Sequence, residues 1–577
     1  MEERSSDPQV WMQWLEEISG ENDQEEDQDL SDAETVADDD ENDEQEIQHS
    51  SDEEQIDCNT APDFEDDSFF LGKNKITKWY KTPPRPNVKL RSRNIITRLP
   101  GTKGIGKNAK TEIDCLNLMI DDRIIKRIVM CTNIYIESIK SQFSRERDAR
   151  FTNDVEMRAF IGLLYFIGTM KSSRLNTSKI WHNEKGNGME RCYLSMSENR
   201  FHFLLRCIRY DNRNTRQQRS VQDKLAPIRE LLDLFLENFQ NYYTPGEYLT
   251  VDEQLVAFRG RCPFKQFIPS KPARYGIKVF ALVDCRMMYT VNLEVYCGKQ
   301  PKGPFDLSNA GKDVVMRISK PILGTGRNIT GDNWFSSVPL VQALLEKKTT
   351  YVGTLRQNKI EIPYEFLPQK KRDLNSSVFG FSSDMSLVSY CERNAKAVIL
   401  LSSMHSDNAI DKSSGFKNKP EIVTFYNQTK VGVDVLDQLC SNYDTARTTK
   451  RWPTVIFFNL LNIAAINALC IYSTNRNYQK TSRSDFIDEL SWQMVKPQIE
   501  ARMKLPMISS QLKVRGNLLL GNEQPEEEKL TEKREGKGRC KICGRSKNKT
   551  TRRSCEKCHN WVCVEHSKMT ITCEKCL

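Results

Sequence analysis

The chain has 577 residues, 38% of them hydrophobic, so it is long enough for several domains and a substantial core. Seven of its 18 cysteines fall within the last 38 residues, which is typical of metal sites in a reducing compartment and not of a secreted, disulfide-rich protein. Residues 1–70 carry 28 acidic residues against one basic residue, whereas the remainder carries 84 basic and 50 acidic residues. A body this basic favours a polyanionic partner, most simply nucleic acid.

The first elements follow from composition and periodicity. Residues 1–72 are predicted to be an acidic disordered tail, with no signal-peptide pattern, and 73–111 a basic extended arm. Apolar residues then recur at helical spacing, as in "VEMRAFIGLLYFIG", so 112–247 is predicted to be a helical domain. Over 248–357 the strands "EYLTVDE", "YGIKVFALVD", "MMYTVNLEVYCG" and "KTTYVGTLR", with the helix "SVPLVQALLEKK", predict an α/β sheet with three early antiparallel strands.

The second half of the chain begins with an expected insertion over 358–427, which contains the strand-like pieces "SLVSY", "AVILLSS" and "EIVTFY". Helical patterns return over 428–445 and 446–520 and include the apolar run "PTVIFFNLLNIAAINALCIY". Asn459, Asn462 and Asn467 interrupt this run and would be costly in lipid, so we expect a buried helix of a soluble core and no membrane span. A polar linker, 521–538, precedes the cysteine-rich end, 539–577.

Four acids stand out by their position. Asp252 lies in the middle of a predicted strand, where an acid is unfavourable. Asp332 follows the end of another strand in "RNITGDNWFSS", where a turn or helix-capping role competes with a ligand role. Asp434 and Asp437 share one helical face in "GVDVLDQL". Carboxylates from such elements can converge and hold two Mg²⁺ or Mn²⁺ ions, the arrangement used for displacement at phosphodiesters.

Two basic groups lie near these acids in sequence and are candidates to contact DNA phosphates. The first group is Arg259, Arg261, Lys265, Lys271, Arg274 and Lys278, and the second is Arg447, Lys450, Arg451 and Trp452. A solvated basic loop is the alternative for the first group. Trp452 is expected either to stack on an extruded base or to pack in the core, while Trp334 and Phe335 are expected to pack beside Asp332.

The C-terminal cysteines have the spacing of zinc ligands. Four pairs provide eight ligands, enough for two tetrahedral Zn²⁺ ions. In a cross-brace, one ion is held by Cys540, Cys543, Cys563 and His566, and the other by Cys555, Cys558, Cys573 and Cys576. So short a segment buries little core, so metal must supply much of its folding free energy.

Several long blocks of the sequence resemble the piggyBac family of cut-and-paste DNA transposases. They include "YLTVDEQLVAFRGRCPFKQFIPSKPARYGIKV", "NITGDNWFSSVPL", "YVGTLRQNKIEIP" and "YNQTKVGVDVLDQL", in the same order. The resemblance implies an RNase H-like catalytic core with an insertion, a helical dimerisation and DNA-binding domain on either side, and a C-terminal zinc finger. It places the catalytic aspartates at Asp252, Asp332 and Asp434 and an auxiliary acid at Asp437.

The same resemblance implies an activity and its partners. These are Mg²⁺-dependent cleavage of double-stranded DNA at transposon terminal inverted repeats, strand transfer into TTAA targets, a homodimer, and action in the nucleus. Two other functions remain open: a catalytically silent DNA-binding protein of transposase descent, and a zinc cross-brace adaptor for chromatin or ubiquitin.

Overall fold

The structure, a computed structural model, describes residues 68–83, 95–182, 188–269, 271–479, 481–522, 536–543, 549–555 and 560–568. The predicted acidic tail up to residue 67 and most of the linker before the cysteine-rich end lie outside these ranges. The chain divides into two compact units, Met1–Pro497 and Gln498–Leu577.

The described part of the first unit starts with two short strands, where the end of the tail and an extended arm were expected. β1 (Phe69–Leu71) and β2 (Lys78–Tyr80) pair antiparallel. Trp79 is buried, and its indole N–H donates to the carbonyl oxygen of Glu361 (2.8 Å). Burial of this large side chain stabilises a hairpin in place of the extended arm that the basic composition predicted. The next strand in the chain is β3 (Gly101–Thr102).

Within the described part of 112–247, eight α-helices follow, in agreement with the helical pattern. They are α1 (Glu112–Met119), α2 (Asp122–Ile139), α3 (Asp154–Thr169), α4 (Thr177–Trp181), α5 (Glu190–Ser195), α6 (Glu198–Cys207), α7 (Arg213–Ser220) and α8 (Arg229–Asn241). Polar side chains cap six of these eight helices at their start: the Asn153 side chain, for example, accepts the N–H of Glu156 at the start of α3. Helix α3 is buried over most of its surface, so it lies at the centre of this helical part.

A mixed sheet comes next and carries the predicted acids. It is preceded by β4 (Tyr243–Thr244), which pairs with β3 in a separate two-stranded sheet. The strands of the mixed sheet in this part are β5 (Tyr248–Ala257), β6 (Lys265–Phe267), β7 (Tyr275–Asp284), β8 (Thr290–Val295), β9 (Asn328–Gly331) and β10 (Thr350–Thr354), and the helices α9 (Gly311–Ile318) and α10 (Val338–Glu346) come between strands in the chain. Strands β5, β7 and β8 are antiparallel, as predicted, and β9 runs parallel to both β5 and β10.

The stretch predicted to be an insertion adds strands to this same sheet. β11 (Ser377–Phe381), β12 (Ser386–Arg393) and β13 (Lys396–Ser402) form an antiparallel series, in which β13 pairs with β10 and β11 meets β2. The strand order is β1-β2-β11-β12-β13-β10-β9-β5-β7-β6, with β8 beside β7.

The strand predicted for "EIVTFY" is wrong, because these residues lie in a helix, α11 (Glu421–Thr429). Its β-branched residues favour a strand locally, but Pro420 precedes the helix and Ile422 and Val423 bury against strands β10, β12 and β13. Phe425 and Tyr426 pack beside them at helical spacing, so tertiary packing overrides the local preference.

Three further helices complete the first unit: α12 (Gly432–Asn442), α13 (Trp452–Asn475) and α14 (Arg483–Met503), which contains Pro497. Among the described residues α13 is the one helix long and apolar enough to cross a membrane, but 94% of its most apolar window is buried within the protein. Its asparagines all have partners, which agrees with the expected core helix. Asn467 bonds both the N–H and the carbonyl of Thr290 (2.8 and 2.9 Å).

The described part of the second unit begins with the end of α14. It also contains α15 (Ser510–Leu519) and a two-stranded pairing of β14 (Gly538–Arg539) with β15 (Thr550–Thr551) in the cysteine-rich segment.

Candidate metal and DNA site

The register of two parallel strands brings Asp252 and Asp332 together. In the β5–β9 pair, Thr250 lies opposite Thr330 and Val251 opposite Gly331. The next residue of each strand is an aspartate, so both carboxylates lie at the same level of the sheet. Their oxygens lie within 4.8 Å of one another, in a group that also includes Glu253. A divalent cation can therefore be shared there by acids that are 80 positions apart in sequence.

The turn after β9 fixes the Asp332 side chain. One of its carboxylate oxygens accepts the N–H groups of Trp334 (2.9 Å) and Phe335 (3.3 Å), and its main-chain carbonyl accepts the Ser336 hydroxyl (2.7 Å). The turn role and the ligand role, which the sequence presents as alternatives, thus belong to the same residue. Because the turn holds it, Asp332 presents its carboxylate in one orientation before any ion arrives.

Three threonines tie the acid-bearing elements together just below the site. The Thr250 hydroxyl donates to the carbonyl oxygen of Thr429 at the end of α11 (2.5 Å), and the hydroxyls of Thr330 and Thr429 lie 2.8 Å apart. Immediately afterwards, α12 begins so close to β5 that a Cβ on Gly432 would lie 2.6 Å from the Thr250 hydroxyl. This close approach requires glycine and presses the start of α12 onto the strand that carries Asp252.

The two acids of helix α12, Asp434 and Asp437, differ in their position at the pocket. Asp434 is largely exposed, lies outside the close group, and pairs with the ammonium of Lys271 (3.5 Å). Its charge still reaches the pocket: burial raises the pKa of Tyr426, and the charges of Asp332, Asp252 and Asp434 raise it further. Thus the structure brings Asp252 and Asp332 into contact and places Asp434 at the edge of the same pocket.

Asp437 is oriented by a chain of two amides. The Asn459 amide on α13 donates to the side-chain oxygen of Gln254 on β5 (2.7 Å). With its oxygen so engaged, the Gln254 amide nitrogen is left to donate to the carboxylate of Asp437, a bond that lowers the pKa of Asp437. Gln254 and Asn459 are both buried, so this chain links three elements without solvent competition.

Burial of the carboxylates dominates the electrostatics, and repulsion among them adds to it. Burial raises the pKa of Asp252 well above its usual range, and the charges of Glu253, Asp332 and Asp434 raise it further. Burial and then Glu253 raise the pKa of Asp332 to about 6, against the two N–H groups of its turn. Burial likewise raises the pKa of Asp437 to about 6. A divalent cation would relieve this repulsion, and carboxylate oxygens are the donors that Mg²⁺ prefers, so the residues fit such an ion.

Glu253 is the member of the group that the sequence did not predict. Alternation along a strand would direct it to the face opposite Asp252, which is why a periodicity argument passes over it. In the structure its carboxylate oxygen nevertheless lies within the same 4.8 Å group, and its N–H donates to the Asp252 carboxylate (2.8 Å). Its position directly after Asp252 was the available signal.

The aromatic residues beside Asp332 pack as expected. Phe335 is buried, and Trp334 stacks on Phe280 with ring centroids 5.3 Å apart and an interplanar angle of 16°. The ammonium of Lys278 lies 5.0 Å from the Trp334 ring centroid, so this predicted DNA contact is held at the site by a cation–π interaction.

The other predicted basic residues of the first group are exposed, pair with Asp434 or bond locally. Lys271 pairs with Asp434, and the ammonium of Lys265 donates to the carbonyl oxygen of Gly260 (3.3 Å). The arginines of this group, all exposed, are Arg259, Arg261 and Arg274. Exposed guanidinium groups of this kind can meet a phosphate backbone.

The residues of the second basic group differ in their exposure and in their hydrogen bonds. The structure speaks against Arg447 as a DNA contact: it is only 8% exposed, and its guanidinium donates to the carbonyls of Ser172, Ser173 and Leu175 and to the hydroxyl of Thr177. Four of its five N–H donors thus hold a loop of the protein, and the buried side chain is not placed to meet DNA. Lys450 is exposed, and Arg451 is half-buried.

Trp452 is the first residue of α13 and is half-buried. It meets Phe264 edge to face, with ring centroids 5.0 Å apart. This contact favours the packing role for one edge of the ring and joins α13 to the basic segment between β5 and β7.

In the second unit the first predicted zinc set comes together. Cys540, Cys543, Cys563 and His566 have ligand atoms within 4.8 Å of one another. His566 Nδ1 lies 3.9, 3.5 and 3.2 Å from the three sulfurs, in that order, and Cys543 and Cys563 are 3.5 Å apart. Zinc bond lengths in a tetrahedral site imply ligand separations of about 3.5–3.8 Å, so these four residues fit a Zn²⁺ ion. In the second set, only Cys555 lies within the described residues; Cys558, Cys573 and Cys576 do not.

Comparisons with known proteins agree on one family. The family described as Transposase IS4 matches residues 111–469. PiggyBac transposable element-derived protein 3 of Homo sapiens is 24% identical over 371 residues, which cover 61% of this chain and 60% of that protein. PiggyBac transposable element-derived protein 2 of Homo sapiens is 22% identical over 386 residues, 64% of this chain and 62% of the relative. The chain thus spans about three fifths of the length of these curated relatives.

A solved structure extends the comparison to the fold. The piggyBac transposase in a cryo-EM structure of its synaptic complex with hairpin DNA superposes with a TM-score of 0.73 and 36% sequence identity, over 83% of this chain and 100% of that one. The family match covers more than half of the chain, and the acids described above lie within it. The chain therefore belongs to the piggyBac-type transposases of the Transposase IS4 family.

Proposed function

We propose that this protein is an active cut-and-paste DNA transposase, which cleaves transposon ends and transfers the freed strands into TTAA targets. The observation that carries the proposal is the strand register that sets Asp252 beside Asp332 in one group of close carboxylates. Such a group is costly to maintain in a protein that does not bind cations with it. The cut-and-paste activity and its TTAA target come from the family resemblance.

The metal centre would be built from both sides of the pocket. Asp252 and Asp332 would hold a first Mg²⁺ or Mn²⁺ ion, and Asp434 and Asp437 would complete the site for a second. Bound there, the ions would supply charge stabilisation for nucleophile and leaving group at a phosphodiester. Lys271, which now pairs with Asp434, is placed to exchange that carboxylate for a DNA phosphate.

Further parts of the proposal concern architecture and partners. The sheet of three antiparallel strands followed by parallel ones, with helices, supports an RNase H-like core, and the helical part supports a dimerisation and DNA-binding role. The similar solved transposase is bound to hairpin DNA in a synaptic complex, which supports double-stranded DNA as the partner of this chain. The homodimer comes from the family resemblance. Two zinc ions in the cysteine-rich segment would serve recognition of terminal inverted repeats. A DNA substrate implies action in the nucleus.

Two rival functions stay in view. Loss of catalysis is the first, and the human relatives are themselves named as derived from transposable elements. The geometry favours activity, because all four predicted acids are present around one pocket. An adaptor role for the zinc segment alone is the second rival, and it leaves the acidic pocket without a purpose.

Excision of a TTAA-flanked element tests the proposal. The element should carry the terminal sequences that flank the gene, and wild type is compared with Asp252→Ala in cells. Wild type should excise it and the variant should not. Absence of excision by wild type, with DNA binding intact, would favour the silent DNA-binding protein.

A further inference from the structure

Two arginines converge where helix α6 ends and helix α13 begins. The guanidinium of Arg451, the residue before α13, donates to the carbonyl oxygens of Ile208 (2.7 Å) and Leu205 (3.1 Å). Arg209 donates to the same Ile208 oxygen (2.8 Å) and to that of Arg206 (3.0 Å). Since both cations bond one carbonyl oxygen, their charges lie close together. We call Arg209 and Arg451 the arginine pair.

No carboxylate neutralises the arginine pair within the described residues. The nearest acid in sequence, Asp211, is committed elsewhere, because it pairs with Arg216 and Arg219. Both members of the pair are half-buried, so water screens their repulsion only in part. Burial and then the charge of Arg451 lower the pKa of Arg209 to about 10, which reflects the cost of placing a second cation there.

An aromatic ring holds one member of the pair in place. The Cζ of Arg209 lies 3.5 Å from the ring centroid of Tyr135 on α2, and that of the exposed Arg213 lies 5.5 Å from the same centroid. A stacked guanidinium keeps its N–H groups available at the edge of its plane. Of the five N–H donors that Arg209 carries, the carbonyls of Arg206 and Ile208 occupy two.

Capping of the end of α6 explains part of this arrangement. A cation near helix carbonyls is favourable, and one arginine would suffice for it. A second arginine that bonds the same Ile208 carbonyl adds repulsion between the two guanidinium charges, and it satisfies no additional acceptor at that residue. The surplus positive charge therefore requires another explanation, and an anionic ligand with two acceptor oxygens provides one.

We propose that the arginine pair binds a backbone phosphate of duplex DNA, with Arg209 as a DNA contact that the sequence did not indicate. The inference rests on the proposed DNA-binding function and gives it a location. Trp452, next to Arg451, contacts Phe264 beside Lys265, so the pair continues the basic segment that follows Asp252. DNA held at the pair would run from the helical part towards the acidic pocket.

The test is the salt dependence of DNA binding by the full chain. A 30-base-pair duplex of arbitrary sequence serves as the probe, because a phosphate contact does not depend on the bases. For Arg209→Gln we expect the slope of log K against log[salt] to become shallower by roughly 0.9. Arg209→Lys should retain the wild-type slope, since lysine keeps the charge that the phosphate contact requires.

Arg123→Gln provides the matched control. Arg123 lies on the same helix as Tyr135 but pairs with Asp121 and Glu237, so its loss should leave the slope unchanged. An unchanged slope for Arg209→Gln, or equal losses for the Gln and Lys variants, would overturn the inference while DNA binding by wild type stands. Failure of the wild-type chain to bind any duplex would instead contradict the proposed function itself.

Discussion

The acidic pocket and the Cys₃His group are both candidate metal sites, but the chain builds them in opposite ways. The acids come from a strand, a turn and a helix of one large sheet-containing unit, and hydrogen bonds hold them before any ion is present. The Cys₃His ligands lie within 27 positions, and the buried residues around them are Cys540, Val562 and Cys563, with Cys543 and Cys555 beside them. The acidic pocket should therefore need metal for chemistry, and the Cys₃His group should need metal for folding.

The largest expected effect is on the cysteine-rich segment. Removal of zinc with a strong chelator should unfold residues 536–568, because metal binding supplies about 10 kcal/mol or more in such segments. Limited proteolysis followed by mass spectrometry should show new cuts there, while the sheet-containing unit stays resistant. Cys540→Ser should reproduce the pattern without chelator. Equal protection with and without metal would remove the contrast between the two sites.

The next effect separates chemistry from stability at Asp332. Asp332→Asn keeps a side-chain oxygen for the turn and removes a charge from the crowded group, so strand cleavage should fall roughly 10³-fold or more. The free energy of unfolding of the metal-free protein near pH 7 should rise by about 2–3 kcal/mol, since burial raises the pKa of Asp332 from 3.8 to about 6.

Asp332→Ala is the matched variant. It removes the acceptor for the N–H groups of Trp334 and Phe335, so it should be less stable than the Asn variant by about 1–2 kcal/mol while being equally inactive. Loss of stability in Asp332→Asn would show that the buried charge of Asp332 does not destabilise the metal-free pocket.

A smaller effect concerns pH. The folded-state pKa values of Asp332 and Asp437 are raised from 3.8 to about 6, so their protonated forms favour folding. That contribution is fully present below about pH 4 and is lost as pH rises through about 6. Stabilisation by Mg²⁺ should therefore be small near pH 4 and grow to a plateau near pH 7, as measured by thermal unfolding with and without the ion. A gain that does not depend on pH would contradict the assigned pKa shifts.

The smallest effect tests the amide chain behind Asp437. Asn459→Leu removes the donor that fixes Gln254, so the Asp437 carboxylate loses its orientation and cleavage should fall roughly 10-fold. Asn467→Leu is the control on the same helix: it loses its bonds to Thr290 and hence stability, but the cleavage rate per folded molecule should be unchanged. Equal rate losses in both variants would assign the effect to helix packing.

Much of the acidic pocket could be predicted because its parts are local patterns. An acid inside a strand and another after a strand are visible in the sequence, and the resemblance supplied the pairing. Glu253 was missed because Asp252, its neighbour in the strand, was assigned to the pocket. Successive side chains of a strand alternate between opposite faces, so both residues were not expected on the pocket side. The Glu253 side chain is long enough to bring its carboxylate oxygen into the group, but this is apparent only once the strands of the sheet are assembled.

Local patterns of charge and β-branching led to wrong predictions where long-range packing determines the structure. Arg447 belongs to a basic run, yet its donors are used by carbonyls more than 250 positions away, a contact that no local pattern reveals. The "EIVTFY" segment has strand-like composition but is helical because Ile422 and Val423 bury against a sheet. Trp79 similarly converts part of a basic arm into a hairpin. Long-range burial decided each of these outcomes.

The most direct test of the central claim is to locate manganese by anomalous diffraction from crystals of the full chain grown with Mn²⁺. We predict an anomalous peak about 2.1 Å from carboxylate oxygens of both Asp252 and Asp332, with Asp434 turned away from Lys271 towards a second peak. Manganese bound only elsewhere, with the Asp252 and Asp332 carboxylates unliganded, would contradict the claim that these acids form a metal centre for DNA cleavage.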